Sequence, residues 1–190
     1  LKFLGTFLLP ELSLYIEEEK CTKRKKSVQR GKNMEAKKFC ENVEKYQNDM
    51  YVMAYAVLKN ETDAEDAVSN AILKAYENID KLRSLKKMRA WLLVITKNEA
   101  LLIKRKRLFL PGDETVESYA KPVEAHYDEL WDVLGQMKEE YRLVVVLFYY
   151  QGLPIKTIAE VLEMPEGTVK SRLSRGKEEL RKALERGDNK

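Results

Sequence analysis

Cysteine is scarce in this chain and histidine nearly absent: two Cys and one His in 190 residues. Cys21 and Cys40 are too few and too isolated for a metal cage or a disulfide framework, and they fit a reducing compartment. His126 lies in an acidic stretch with no partner at ligand spacing, so no metal site is expected. Only five prolines and eight glycines interrupt the chain. Apolar residues recur at three and four positions rather than at two, which excludes a sheet-rich fold and predicts an all-α one. There is no Gly-rich phosphate loop and no nucleophile–base set, so neither an enzyme nor a cofactor nor a small-molecule substrate is expected, and no residue is assigned as catalytic. Long hydrophobic runs are missing too. The apolar stretch within residues 1–16 is broken by Pro10 and Glu11, is too short to span a bilayer, and lacks a convincing signal-peptide pattern. A cytoplasmic protein without direct membrane insertion follows as the expectation.

Charge is abundant: 35% of residues are charged, with a formal net charge of +4. Its distribution matters more than its sum. Residues 1–33 carry eight Lys or Arg against four Glu, residues 83–107 carry nine cations and one acid (Glu99), and residues 112–132 carry seven acids and one Lys. Basic character returns from Lys170. Two separated cationic segments in an otherwise balanced chain suggest two contacts with a polyanion.

Residues 1–33 read as a non-native or disordered extension, with the polar run 20–32 expected to be disordered and Met34 as the expected native start. A basic arm that helps grip DNA is the rival reading. Helical periodicity then begins, with Phe39, Val43, Tyr46, Met50, Met53 and Val57 on one face of a helix over 35–59. Thr62 or Asp63 is expected to cap a second helix, with Asp63, Glu65 and Asp66 in its first turn, where acids complement the helix dipole. Its apolar face is Ala67, Val68, Ala71, Ile72, Ala75, Tyr76 and Ile79. A third helix is predicted from about Arg89 to Arg107, with Trp91, Leu92, Ile95 and Leu102 apolar and Lys104, Arg105, Lys106 and Arg107 in its last turn. Four consecutive cations exceed what the negative end of a helix calls for and favour nucleic acid.

Residues 108–126, with Pro111-Gly112 and Pro122, read as an acidic linker. Beyond it Leu130, Val133, Leu134 and Met137 make one helical face, and Val144, Val145, Leu147 and Phe148 another. Ile155–Leu162 is a short amphipathic segment joined by Glu163-Met164-Pro165 to a helix over 166–181, with Val169, Leu173 and Leu180 apolar and Lys170, Arg172, Arg175 and Lys177 around the rest. Two short helices so joined, the second opening at Thr168, meet the requirement of a helix-turn-helix reader of the major groove.

Asp63-Ala64-Glu65-Asp66-Ala67-Val68, Ala75-Tyr76 and Arg89-Ala90-Trp91-Leu92-Leu93-Val94-Ile95-Thr96-Lys97-Asn98 together resemble region 2 of bacterial sigma factors, in the extracytoplasmic-function branch of the sigma-70 family. Tyr141-Arg142 to Leu147, Gly152-Leu153, Ile158-Ala159 and Gly167 to Arg175 resemble its region 4. The match covers residues 36–186 and preserves the order of the two modules. The resemblance implies two small helical domains, 34–107 and 127–186, joined by a flexible acidic linker over 108–126.

The resemblance further implies a sigma factor that binds core RNA polymerase, both its β′ coiled coil and its β subunit, and directs it to promoter DNA. Asp63, Glu65, Asp66 and Asn70 correspond to the polymerase-docking helix; Ser69 stands where the family typically has Gln. Leu82 and Arg83, in the segment Leu82 to Met88, match the loop that holds a base flipped from the −10 element. Extrusion of a base costs a few kcal/mol, and Leu82, where an aromatic is frequent, would stack less strongly. Lys97, Asn98, Lys104, Arg105 and Lys106 would track the separated strand. Thr168, Lys170, Ser171, Arg172 and Arg175 match the −35 reading helix, where a bidentate Arg–guanine pair is worth roughly 1–3 kcal/mol. An anti-sigma factor is an expected further partner. The competing reading is a helix-turn-helix regulator that is not a sigma factor; it calls for a receiver or ligand-binding domain, of which residues 35–107 show no sign.

Overall fold

The computed structural model describes residues 29–82, 84–109 and 128–187. The expectations for residues 1–28, for Arg83, for residues 110–126 of the linker and for Tyr127 therefore lie outside the described residues. Seven α-helices are described: α1 (Gln29–Leu58), α2 (Glu61–Glu77), α3 (Met88–Phe109), α4 (Asp128–Gln136), α5 (Glu139–Val145), α6 (Ile155–Leu162) and α7 (Glu166–Gly187). No strand occurs among the described residues. The all-α expectation holds, and the order of elements follows the sequence pattern closely.

Two compact units divide the chain, residues 1–46 and 47–190. In the first unit, α1 begins at Gln29, several residues before the expected start. Gln, Arg, Lys, Met, Glu and Ala are all good helix formers, so only Gly31 and Asn33 oppose extension of the helix toward its N-terminus. The polar run expected to be disordered up to residue 32 is thus helical over its last four residues. Near the end of this unit Asn42 Nδ2 donates to the Lys38 carbonyl at 2.7 Å, a local bond on an exposed turn.

The second unit holds everything from Gln47 onward. Lys59 ends α1 in the left-handed region, at φ 54°. The expected cap of α2 is corrected: Asn60, not Thr62 or Asp63, is the N-cap, its side chain accepting from the Asp63 amide at 2.9 Å. Asn is among the best N-caps because its short carbonyl reaches the orphan amides of the first turn. Ala64, Ala67, Val68, Ala71, Ile72 and Ala75 are buried along α2 as the periodicity requires. Across α3 the buried set is Met88, Leu92, Leu93, Thr96, Lys97, Glu99 and Ala100, whereas Leu102, expected on the apolar side, is exposed.

Two core clusters organise this unit. Met53 of α1 and Leu93 of α3 pack with Val144, Leu147, Leu153, Ile158, Val161 and Val169. Val52 and Ala56 of α1 pack with Leu134, Met137, Val145 and Val146, and Trp131 covers them. Each large aliphatic side chain so buried contributes roughly 1.5–3 kcal/mol. The helices beyond the linker therefore share their apolar cores with α1 and α3. After α5 the chain widens into a π-helical turn, Val146–Tyr150, then reverses at Gly152, whose φ of 64° suits a residue without Cβ. Pro154 caps α6 with an extended backbone.

Candidate nucleic-acid interface

The helix-turn-helix is built as its sequence suggests. α6 ends at Glu163, which takes the left-handed conformation at φ 54°, ψ 47°, and the Met164 amide donates back to the Ala159 carbonyl at 3.1 Å. Pro165 then accepts from the amides of Thr168 and Val169 at 2.9 and 3.1 Å, closing the first turn of α7. Val169 is fully buried and Leu173 half-buried, so the apolar stripe faces α6 and the core. That leaves Lys170, Ser171, Ser174, Arg175 and Lys177 exposed on the opposite side. Ser171 Oγ donates to the Thr168 carbonyl at 2.9 Å, and Thr168 is half-buried at the helix start. Arg172 is different: its guanidinium pairs with Glu140 at 3.0 Å and lies 3.6 Å from the Met164 sulfur. In this arrangement Arg172 braces α7 against α5, while Lys170 and Arg175 project outward.

The segment expected to hold a flipped base consists of two 3₁₀ turns, Ile79–Lys81 and Leu85–Lys87, with Leu82 half-buried between them. Leu85 is the exposed apolar residue of this segment, at 53%. Sequence reasoning weighted Leu82 and passed over Leu85; a large apolar side chain inside a basic run was the available signal. Lys86, Lys87, Arg89 and Lys156, with Thr157 and Glu160, line a groove of about 420 Å³ between this segment and α6. Arg89 is held there by Asp49 at 2.7 Å and by the Gln151 carbonyl at 2.8 Å.

The cations on α3 fall into two classes. Asn98, Arg105 and Lys106 are exposed. Lys97 is not: its side chain is 8% exposed, and its Nζ lies 2.9 Å from Glu163 Oε1. Lys104 pairs with Glu139 of α5. The sequence reading treated Lys97 and Lys104 as open to a nucleic-acid strand, and in this arrangement both are engaged by carboxylates from beyond the linker.

At the start of α2, Asp66 and Asn70 are exposed and Glu61 and Glu65 half-buried. Asp63 turns inward, 7% exposed, and accepts from Arg107 at 2.6 Å. The acid expected at the surface is thus a structural partner of the last turn of α3, and the outward acids are Glu61, Glu65 and Asp66. Partial burial and the neighbouring charges of Glu61 and Asp66 push the Glu65 carboxyl above its ordinary range. Ser69 Oγ donates to the Glu65 carbonyl at 2.9 Å within its own helix. Among the described residues there is no metal-ligand cluster and no helix long and apolar enough to cross a membrane.

A helical chain that ends in a helix-turn-helix and carries a second cationic helix upstream defines a class of DNA-binding proteins. Comparison with known proteins narrows it. Residues 43–108 match the family model for sigma-70 region 2, and residues 127–180 match that for sigma-70 region 4. The chain is 33% identical over 181 residues to the ECF RNA polymerase sigma factor SigW of Bacillus subtilis, covering 84% of this chain and 96% of that one. It is 30% identical over 147 residues to the RNA polymerase sigma factor SigV of the same organism, covering 75% and 89%. The solved structure of the sigma factor RpoE in complex with the anti-sigma factor NepR from Bartonella quintana matches with a TM-score of 0.66 at 24% identity, over 78% of this chain and 98% of that one. CnrH, solved in complex with the cytosolic domain of CnrY, matches with a TM-score of 0.57 at 22% identity, over 77% and 87%. At those identities the likeness is one of fold. The chain belongs to the extracytoplasmic-function branch of the sigma-70 family and directs promoter-specific transcription.

Proposed function

We propose that this sigma factor binds core RNA polymerase through the outward acids of α2 and grips promoter DNA at two points. α7 would read the −35 element, and the Leu82–Met88 segment with α3 would open the −10 element. The observation that carries this reading is the pairing of two cationic helical modules in family order, one of them a helix-turn-helix with Lys170, Ser171 and Arg175 exposed. Phosphate contacts from Lys170, Arg175, Arg105 and Lys106 would set register and affinity, and bases would be read by the few side chains that reach an edge. Leu85, exposed at the start of its turn, is suited to wedge beside an unstacked base, with Asn98 near the strand.

Glu61, Glu65 and Asp66 crowd like charges onto one helix start, and a cationic partner surface would relieve them. That supports docking on polymerase through Glu65, Asp66 and Asn70. Such a factor works in the cytoplasm, without catalysis of its own, and an anti-sigma factor would hold it in check, as one is bound to the sigma factor RpoE in the structure above. The test is association with purified core polymerase near physiological salt. A stable one-to-one complex that retards promoter DNA supports the reading; a chain that elutes apart from polymerase overturns it.

A further inference from the structure

We propose that Glu163, the turn residue of the helix-turn-helix, is an internal strand mimic that locks the free protein shut. The proposal rests on the promoter-binding reading above, extended to Lys97 and Lys104, for which the family resemblance implies contact with the separated −10 strand. Glu163 sits at φ 54°, ψ 47°, a conformation that an L-residue with a long side chain adopts at a cost and that glycine or asparagine adopts readily. Its carboxylate is 62% exposed and reaches across to the nearly buried Lys97 of α3 at 2.9 Å. Glu139, in the first turn of α5, occupies Lys104 two helical turns further along the same helix. Two carboxylates from the −35 module thus satisfy two of the cations assigned to the phosphates of the −10 strand.

Occupancy is mutually exclusive. With Lys97 beneath the turn, no phosphate can approach it; with a phosphate on Lys97, Glu163 must leave. The shared core makes the closed form specific. Leu93 of α3 and Met53 of α1 pack in one cluster with Ile158, Val161 and Val169 of the helix-turn-helix, so the carboxylates are held in register with their lysines. Glu163 adds to closure at this contact: removal of its charge frees Lys97 and leaves the DNA-facing side of α7 untouched.

The full chain tests this as wild type, Glu163→Gln and Glu163→Gly. Acetylation of each lysine is followed by mass spectrometry, with X-ray scattering as the second measurement. Wild-type Lys97 is expected to be protected relative to Lys106 and Lys170. Both variants should raise Lys97 reactivity roughly two- to fivefold and tighten binding of a single-stranded −10 oligonucleotide in the absence of polymerase, while the shared core keeps the radius of gyration close to wild type. Glu163→Gly fits the left-handed turn at least as well, so a folding defect cannot mask the result. Unchanged Lys97 reactivity in both variants, with scattering showing them folded as wild type, overturns the lock. Failure of the wild type to direct promoter-specific transcription would instead overturn the functional reading on which it rests.

Discussion

Arg142 of α5 donates from Nε to the Ala56 carbonyl at the end of α1, 2.6 Å away and 86 residues earlier in the chain. The same guanidinium reaches the Met137 carbonyl at 3.0 Å and those of Leu134 and Gly135 at 3.4 Å, and the residue is 3% exposed. One planar fork therefore gathers the C-terminal carbonyls of two helices, groups that a helix cannot satisfy itself. Beside it the Trp131 and Tyr55 rings meet edge to face at 5.3 Å.

Replacement of Arg142 by Met should strand those buried carbonyls. We expect a loss of about 2–4 kcal/mol in chemical denaturation, with Arg142→Lys intermediate because a point ammonium cannot serve the fork. A loss below about 0.5 kcal/mol for Arg142→Met would show that the carbonyls find other partners.

Gly176 of α7 packs tightly against α5. A Cβ added there would lie 2.7 Å from Val145 Cγ2 and 3.4 Å from Tyr141 Cβ. Alanine gains about 1 kcal/mol in helix propensity but must push aside a β-branched side chain in a packed core. Gly176→Ala should lower the thermal midpoint by a few degrees and Gly176→Val by clearly more, read by circular dichroism. Stabilisation by Ala would mean that α7 shifts freely on α5.

The outward acids of α2 offer a separation of binding from folding. Glu65→Lys with Asp66→Lys should weaken affinity for core polymerase by tenfold or more, while helical content and melting stay close to wild type. Asp63→Ala should behave oppositely, costing stability because it strands Arg107. Equal polymerase affinity in the double variant would remove α2 from the docking surface.

Glu65 also predicts a pH dependence. Its carboxyl titrates above the ordinary 4.5 because burial, then Glu61 and Asp66, disfavour the anion. A raised folded-state pKa in an acid means that this group stabilises the fold fully below its unfolded pKa and less as pH climbs through the folded value. Carbon-detected NMR titration of the Glu65 side chain should give a midpoint above those of exposed glutamates. Glu61→Gln should bring it down, and no movement would deny the coupling.

Most of the helical order was legible before any coordinates. α6 starts and stops where its residues said, because Pro154, Glu163 and Pro165 punctuate it and its apolar spacing is strong. Val169, Leu173 and Leu180 turned inward for the same reason. What sequence reasoning missed depends on long-range pairing. Asp63 read as a surface acid because helix-dipole logic accounts for it locally; only the fold brings Arg107, 44 residues on, to its carboxylate. Lys97 read as a free cation for the same reason, and Glu163 as mere turn. The cap moved from Thr62 or Asp63 to Asn60 because all three residues suit the position and spacing alone does not choose among them.

The central claim is a two-point grip on a promoter by a polymerase-bound factor. Transcription in vitro, with purified core polymerase on fragmented host DNA and start sites mapped, tests it most directly. With this chain present, discrete starts should appear, each preceded by one shared motif in two parts. Lys170→Ala with Arg175→Ala should abolish dependence on the upstream part and flatten the salt dependence of binding by about two phosphate contacts. Start sites indistinguishable from those of core polymerase alone would contradict the account.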